Sequence, residues 1–131
     1  MESIFINGNL EDSEIEILGK VTALNALGNI LNKVNTVTSF KLQTCSNKFY
    51  PKKFEFLQLI YHDDKTNRIS IKIEGNKLIL EGNSIAFNIL GDSLNNFFND
   101  ESQKNDHFHI DYYDGNDVLN PTNISLVFMC L

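Results

Sequence analysis

The segment from Asp106 to Asp117 carries the residues of this chain that are best suited to chemistry. The two-residue period of a β-strand divides it into an apolar face and a polar face. The apolar face holds Phe108, Ile110 and Tyr112, and the polar face holds His107, His109, Asp111 and Tyr113. Imidazoles, a carboxylate and a phenol in one row are compatible with a metal site, with acid–base catalysis or with a surface that docks another protein.

The two histidines and the aspartate of this row are residue types that commonly bind metal ions. The pattern His107-x-His109-x-Asp111 begins like the metal-binding signature of metallo-β-lactamase-type hydrolases, but Tyr112 stands where a further histidine would be wanted. Side chains spaced two apart on a flat strand spread over roughly 13 Å, which is wide for a single ion. The remaining histidine, His62, lies at the end of a different predicted strand. We therefore expect neither a metal nor another cofactor.

Nucleophilic catalysis and phosphate binding have less support in the sequence. Neither Cys45 nor Cys130 has a histidine nearby in sequence, and the chain contains no Gly-x-Ser-x-Gly elbow, glycine-rich phosphate loop or dinucleotide fingerprint. Asp111 and Asp114 could form an acid–base pair, but nothing that flanks them indicates a pocket able to separate their pKa values. We expect a protein that is not an enzyme. A small metal-dependent or acid–base hydrolase that uses His107, His109 and Asp111 remains the alternative.

The negative charge is concentrated in the last third of the chain. The formal net charge is -6; residues 1 to 91 contain equal numbers of acids and bases, whereas residues 92 to 131 contain seven acids against Lys104 alone. A field of this sign repels phosphate backbones and accelerates association with basic partners. The charge distribution argues against nucleic acid as a ligand and favours a basic protein partner.

Length and composition indicate an ordinary globular protein. The chain has 131 residues, of which 42% are hydrophobic and 21% are charged, and this is compatible with one domain spanning residues 1 to 131. No segment is long and apolar enough to span a bilayer, and the N-terminus does not read as a signal peptide. We therefore expect a cytoplasmic protein, no membrane partner and two reduced cysteines.

Hydrophobic periodicity predicts an α+β fold: an antiparallel sheet of about eight strands with two helices on one face. The helices are expected near residues 20–35 and 84–99. The strands are expected near residues 4–6, 14–18, 38–44, 54–61, 69–74, 78–80, 107–113 and 124–131.

The two halves also resemble each other, and the chain reads as a duplicated ββαββ unit with pseudo-repeats 1–66 and 67–131. The matched positions include Ile4 with Ile71, Gly19 with Gly82 and Gly28 with Gly91. Because glycine in a helix costs about 1 kcal/mol relative to alanine, Gly28 and Gly91 predict a close approach of each helix to the sheet.

The second half resembles a known family. The carrying motifs are Leu80-Glu81-Gly82-Asn83, His107-Phe108-His109-Ile110-Asp111 and Asn120-Pro121-Thr122-Asn123. With the intervening helix, residues 76 to 131 are similar to the immunity proteins of bacterial polymorphic-toxin and contact-dependent growth inhibition systems, in particular the immunity protein 32 family. The resemblance implies a toxin inhibitor that binds one cognate toxin, commonly a nuclease, and covers its active site or substrate groove.

The charge and the polar row together predict a partner-binding surface. Its residues are His107, His109, Asp111, Tyr113, Asp114, Asp117, Asp100, Glu101 and Asp106. A further alternative is a homodimer formed through the last strand, because both faces of residues 124–131 are apolar.

Overall fold

The computed structural model describes residues 3–115 and 117–131. Within these ranges the chain forms nine strands and two helices. In chain order they are β1 (Ile4–Asn9), β2 (Glu14–Gly19), α1 (Val21–Leu31), β3 (Thr38–Lys41), β4 (Lys52–Phe54), β5 (Phe56–Tyr61), β6 (Ser70–Glu74), β7 (Lys77–Gly82), α2 (Ser84–Phe97), β8 (His107–Ile110) and β9 (Ser125–Cys130).

The strands form two mixed sheets. The five-stranded sheet has the order β4-β1-β2-β9-β8, and the four-stranded sheet has the order β3-β5-β7-β6. The α+β class is therefore confirmed, but the expected single antiparallel sheet is replaced by two sheets with parallel pairs at β2–β9 and β5–β7. Alternation along a strand indicates which face is buried and does not encode which strand lies beside it, so the sequence pattern could not separate the two sheets.

Both halves contain a hairpin, a helix and then an antiparallel strand pair, which is β3–β5 in the first half and β8–β9 in the second; the first half also contains β4, which pairs with β1. Each hairpin lies beside the strand pair of the other half, so β1–β2 adjoins β9–β8 and β6–β7 adjoins β5–β3. Duplication of the unit stays a prediction. The match of Ile4 with Ile71 is shifted by two residues in the structure, because Ile4 packs on Gly19 as Ile69 packs on Gly82. The cause is the β1–β2 turn, which is longer than the β6–β7 turn.

The two helices pack against each other as well as against the strands that precede them. Their crossing brings Gly28 of α1 next to Gly91 of α2. The expected close approach of each glycine to the sheet is therefore wrong, since the close neighbour of each is the other helix. Asparagine side chains bridge the crossing: Asn25 Nδ2 donates to Asn95 Oδ1 at 3.3 Å, and Asn95 Nδ2 donates to Asn29 Oδ1 at 3.0 Å.

The inner faces of both sheets and the facing sides of both helices contribute to one buried cluster. Its largest fully buried side chains include Phe54, Phe87, Phe98 and Phe128. Burial of aromatic and aliphatic surface on this scale supplies the main favourable term for folding. The two sheets therefore depend on a shared core, and on their outer faces some apolar side chains, such as Val127 and Ile79, are buried as well.

Candidate functional site

The histidines of the predicted row lie on β8, at the edge of the five-stranded sheet. Ile110 is buried and Phe108 packs against the core, whereas His107 and His109 are exposed on the opposite side. The centroids of the two imidazole rings are 5.3 Å apart and the rings lie edge to face. The predicted alternation therefore holds along this strand.

The strand ends at Ile110, three residues earlier than predicted. The alternation nevertheless continues, because Tyr112 packs against the core while Asp111 and Tyr113 are exposed. Asp111 accepts a hydrogen bond from Ser125 Oγ of β9, which ties it to the sheet beside the histidines. The tyrosine side chain of Tyr113 is 64% exposed and offers an aromatic ring to solvent.

The remaining predicted site residues are all exposed: Asp100, Glu101, Asp106, Asp114 and Asp117. Asp106 is held by a turn, in which its Oδ2 accepts a hydrogen bond of 2.8 Å from the backbone N–H of Gln103. Asn105 adopts a left-handed conformation with φ of 73° at the entry to β8. Asp100 and Glu101 precede β8 by several residues, and Asp114 and Asp117 lie in the loop that follows it, so acidic residues flank the strand on both sides in the sequence.

Two glutamates of the first half join this region, and they are not among the site residues predicted from the sequence. Glu16 of β2 lies opposite Val127 of β9, which in turn lies opposite His109 of β8, so the three side chains share one face. Glu14 lies opposite Ser125 in the same way. We define the outer acidic face as the solvent side of this sheet around Glu14, Glu16, His107, His109 and Asp111. The signal in the sequence is the alternation Glu14-Ile15-Glu16-Ile17, but only the parallel pairing of β2 with β9 brings these glutamates to the histidines.

Part of the outer acidic face is covered by the chain itself. Residues 42–51 run across β1 and β2, and three of their side chains contact the sheet: Cys45 Sγ accepts from Asn7 Nδ2 at 3.5 Å, Asn47 Nδ2 donates to Glu16 Oε1 at 3.3 Å, and Tyr50 donates its hydroxyl to Glu14. As a result, Glu16 is only 3% exposed. The chain therefore covers the central part of this face and leaves the β8 edge exposed.

The covered carboxylate has an altered acidity. Burial, reinforced by the nearby charge of Glu14, raises the pKa of Glu16 above its ordinary value, although hydrogen bonds from Asn7 and Asn47 act in the opposite direction. Burial and the hydrogen bond to Glu14 likewise raise the pKa of the Tyr50 hydroxyl. Both groups therefore favour their uncharged forms more strongly than they would in water.

A cavity of about 510 Å³ opens between the covering segment and the sheet. Its lining combines carboxylates with aromatic and apolar side chains: Asn9, Asp12, Glu14, Glu16, Asn47, Phe49, Tyr50 and Met129. Carboxylates beside aromatic rings suit the cationic head and apolar stem of a lysine or arginine side chain.

The geometry does not favour a metal centre. No three His, Cys, Asp or Glu side chains within residues 3–115 and 117–131 are grouped closely enough to hold an ion. The third histidine, His62, lies with the other sheet, where its Nε2 is 2.8 Å from Glu81 Oε2. Asp111 is engaged by Ser125. The hydrolase alternative uses His107, His109 and Asp111. These residues lie along one edge of the five-stranded sheet, but they are not grouped closely enough to ligate one ion.

The last strand does not offer a free edge. β9 lies between β2 and β8, so both of its sides are paired within the chain. Val127, on its outward face, is buried. Most of the apolar side chains that suggested a homodimer are therefore packed inside the fold, whereas Leu131 is exposed, and the homodimer stays a prediction.

No family model, no curated protein and no solved structure matches the chain. In the described part of the chain, no helix has both the length and the apolar character needed to cross a bilayer.

Proposed function

We propose that this chain is a cytoplasmic immunity protein without enzymatic activity, which binds a basic cognate toxin domain and neutralises it. The toxin class that fits best is a nuclease, because an enzyme that binds phosphate carries a positive surface. Neutralisation would follow from covering the active site or the substrate groove. The proposal joins the sequence resemblance to one structural observation, the outer acidic face.

That observation carries the proposal because the face draws on both halves of the chain. Glu14 and Glu16 of β2 lie on the same side of the sheet as His109 and Asp111, although they are about a hundred residues apart in sequence. The acidic segments before and after β8 extend the same negative field. A surface with an excess of negative charge accelerates association with a positively charged partner and selects against partners of like charge.

Aromatic side chains provide the contacts that charge alone does not. Phe49, at the rim of the acid-lined cavity, is 68% exposed, and Tyr113 is similarly accessible. Exposed aromatic rings next to carboxylates are typical anchors of protein interfaces, where they bury much apolar area with few rotatable bonds. The cavity would receive a basic side chain of the toxin.

The test is association of the chain with the toxin domain encoded by the neighbouring gene. We expect the association rate to fall steeply with salt, and to fall roughly tenfold or more at low ionic strength in the variant Asp111→Lys, Asp114→Lys, Asp117→Lys. A matched variant with the same charge change, Glu55→Lys, Asp63→Lys, Glu74→Lys, alters exposed carboxylates away from the outer acidic face. It should associate much faster than the first variant. Equal rates for the two variants would exclude docking through this face.

A further inference from the structure

We propose that the free edge of β8 binds its partner by strand addition: an extended segment of the basic partner pairs with the backbone of His107 and His109. The inference rests on the proposed function for the identity of the partner. Strand addition specifies the backbone hydrogen bonds that hold the partner, whereas complementary charge alone does not.

The hydrogen-bond pattern of the sheet leaves these backbone groups facing outward. Ser125 donates its N–H to the carbonyl oxygen of Ser13, just before β2, and Leu131, just after β9, donates to Gly19 of β2, which assigns the odd residues of β9 to that neighbour. Cys130 instead exchanges hydrogen bonds with the two residues that precede β8, donating to Asp106 O and accepting from Asn105 N–H, both at 2.8 Å. In an antiparallel pair, the backbone groups of successive residues point alternately toward the neighbouring strand and away from it. Phe108 and Ile110 therefore continue the hydrogen bonding with β9, and the N–H and C=O groups of His107 and His109 point away from it.

No strand in the described part of the chain occupies that side of β8. An exposed edge of this kind is a ready template for another chain, and proteins commonly protect such edges with charge or with bulges. Here the edge is flanked by Asp106 and Asp111, which would face like charges if a second copy paired with it. The same carboxylates attract a basic strand. Charge therefore selects the basic partner over self-pairing.

The side chains on either side of the edge define the pattern that the added strand should have. On the outer side it would meet His107, His109 and Asp111. On the inner side it would meet Phe108 and the ring of Phe97, which lies 5.0 Å from Phe108 between centroids and is 42% exposed. Since successive residues of a strand point to opposite faces, the occupant alternates basic with apolar residues.

The probe for this edge is a peptide of about seven residues that alternates lysine and valine, a length close to that of an ordinary strand. We expect it to shift the amide NMR signals of residues 106–110 of the full chain, and to do so less as salt is raised. The same peptide with every backbone amide methylated retains the side chains but cannot donate to β8, so we expect it not to bind. Equal binding by the methylated peptide would overturn the proposal, as would the absence of any shift with the unmodified one.

Variants of the chain separate backbone from side chain. His109→Pro removes an outward N–H that β9 does not use and places a ring at the edge, so we expect peptide affinity to fall roughly tenfold or more. His109→Ala keeps the N–H and should retain most of the affinity. Ser39→Pro makes the same backbone change on β3, one of the two edge strands of the other sheet, where Ser39 faces Gln58 as His109 faces Val127. It should bind like the wild type, and a loss equal to that of His109→Pro would contradict the mechanism.

The outcomes also distinguish this inference from the proposed function. If the His109→Pro protein still protects against the cognate toxin while the charge-reversed variant does not, the outer acidic face is the binding surface and strand addition is wrong. If the lysine–valine peptide binds β8 but the toxin domain does not bind the chain, the edge is a strand-binding site and the proposed partner is wrong. Sedimentation of the chain alone at two concentrations should show no self-association through β8, and a dimer abolished by His109→Pro would overturn the choice of occupant.

Discussion

Gly28 and Gly91 lie face to face where α1 crosses α2, and each occupies space that a β-carbon on the other would need. A β-carbon on Gly28 would lie 2.9 Å from the carbonyl oxygen of Gly91, and one on Gly91 would lie 2.6 Å from the carbonyl oxygen of Gly28. Both obstacles are backbone atoms, so neither can move aside as a side chain would. The contact of the two helices therefore depends on the absence of side chains at these two positions.

Replacing either glycine by alanine should destabilise the protein. Alanine gains about 1 kcal/mol in helix propensity, but separating two packed helices costs about 1–3 kcal/mol, and we expect a net loss of up to about 2 kcal/mol in the free energy of unfolding. Urea titration of Gly28→Ala and Gly91→Ala would measure it. Thr22→Ala, at an exposed position of α1, is the control and should change stability little. A more stable Gly91→Ala protein would show that the helices are not in contact.

Asn83 should be the strongest helix cap of the chain. Its Oδ1 accepts from the backbone N–H of Ala86 at 2.9 Å, and its Nδ2 donates to the carbonyl oxygen of Asp64 at 2.9 Å. Asn83→Ala loses both contacts and should lower the free energy of unfolding by about 1–2 kcal/mol. Asn83→Ser keeps a side-chain oxygen that can cap the helix, without the amide donor, and should lose less. Thermal or urea unfolding of both variants gives the comparison, and equal losses would show that the cap contributes nothing.

The contrasting case is α1, whose N-cap position is Lys20 and has no capping side chain. Lys20→Asn introduces the side chain that α2 already has, and we expect a gain of about 0.5–1 kcal/mol in the free energy of unfolding. Urea titration measures it, with Lys33→Asn beyond the end of α1 as the control. A gain of the same size in the control would mean that removal of a lysine, and not capping, is responsible.

Glu16 should make the protein less stable as pH rises. Its pKa is raised in the folded state from the ordinary value of 4.5, mainly by burial, so above pH 4.5 the unfolded chain releases a proton that the folded chain still holds. The free energy of unfolding of the wild type should therefore fall relative to that of Glu16→Gln as pH rises from 4.5 through the folded pKa, and then keep a constant difference. Urea titrations across this range measure the difference.

A variant at the neighbouring amide tests the cause. Asn47→Ala removes the donor that lies 3.3 Å from Glu16 Oε1 and should strengthen the pH dependence, because the ionised carboxylate loses a hydrogen bond. A difference between wild type and Glu16→Gln that does not change with pH would rule out a raised pKa.

Glu81 should make the protein more stable as pH rises, which is the opposite of the effect of Glu16. Burial of its carboxylate would raise the pKa, but hydrogen bonds from His62 and Lys72, at 2.8 and 3.0 Å, outweigh burial and lower it. Its contribution is therefore present above pH 4.5 and is lost as pH falls through the folded pKa. Because His62 and Lys72 are about half exposed, we expect no more than about 1 kcal/mol.

The measurement is the difference in free energy of unfolding between wild type and Glu81→Gln at several pH values. It should be largest near neutrality and shrink in acid, and it should be smaller when Lys72 is first replaced by Met. A difference that grows as pH falls below 4.5 would have the wrong sign for this arrangement.

Periodicity in the sequence was sufficient to predict most of the local structure. The alternation of Ile69, Ile71 and Ile73 and the stripe of Phe87, Leu90 and Leu94 each correspond to an element that buries those residues or packs them against the core. The cap at Asn83 was predicted for the same reason, since a helix start has local chemical requirements. The two-residue period of a β-strand was also sufficient to predict the exposure of His107, His109 and Asp111.

Only the tertiary structure decided which strands are neighbours. The pairing of β2 with β9 and of β5 with β7 joins segments far apart in sequence, and it depends on how whole faces pack, which no local pattern states. Three features could therefore not be predicted from the sequence pattern: the division into two sheets, the contact of Gly28 with Gly91, and the position of Glu14 and Glu16 on the same face as the histidines. The sequence by itself determined what each strand shows to solvent, and the tertiary structure decided which of those surfaces form one site, because a site is assembled by contacts between distant segments.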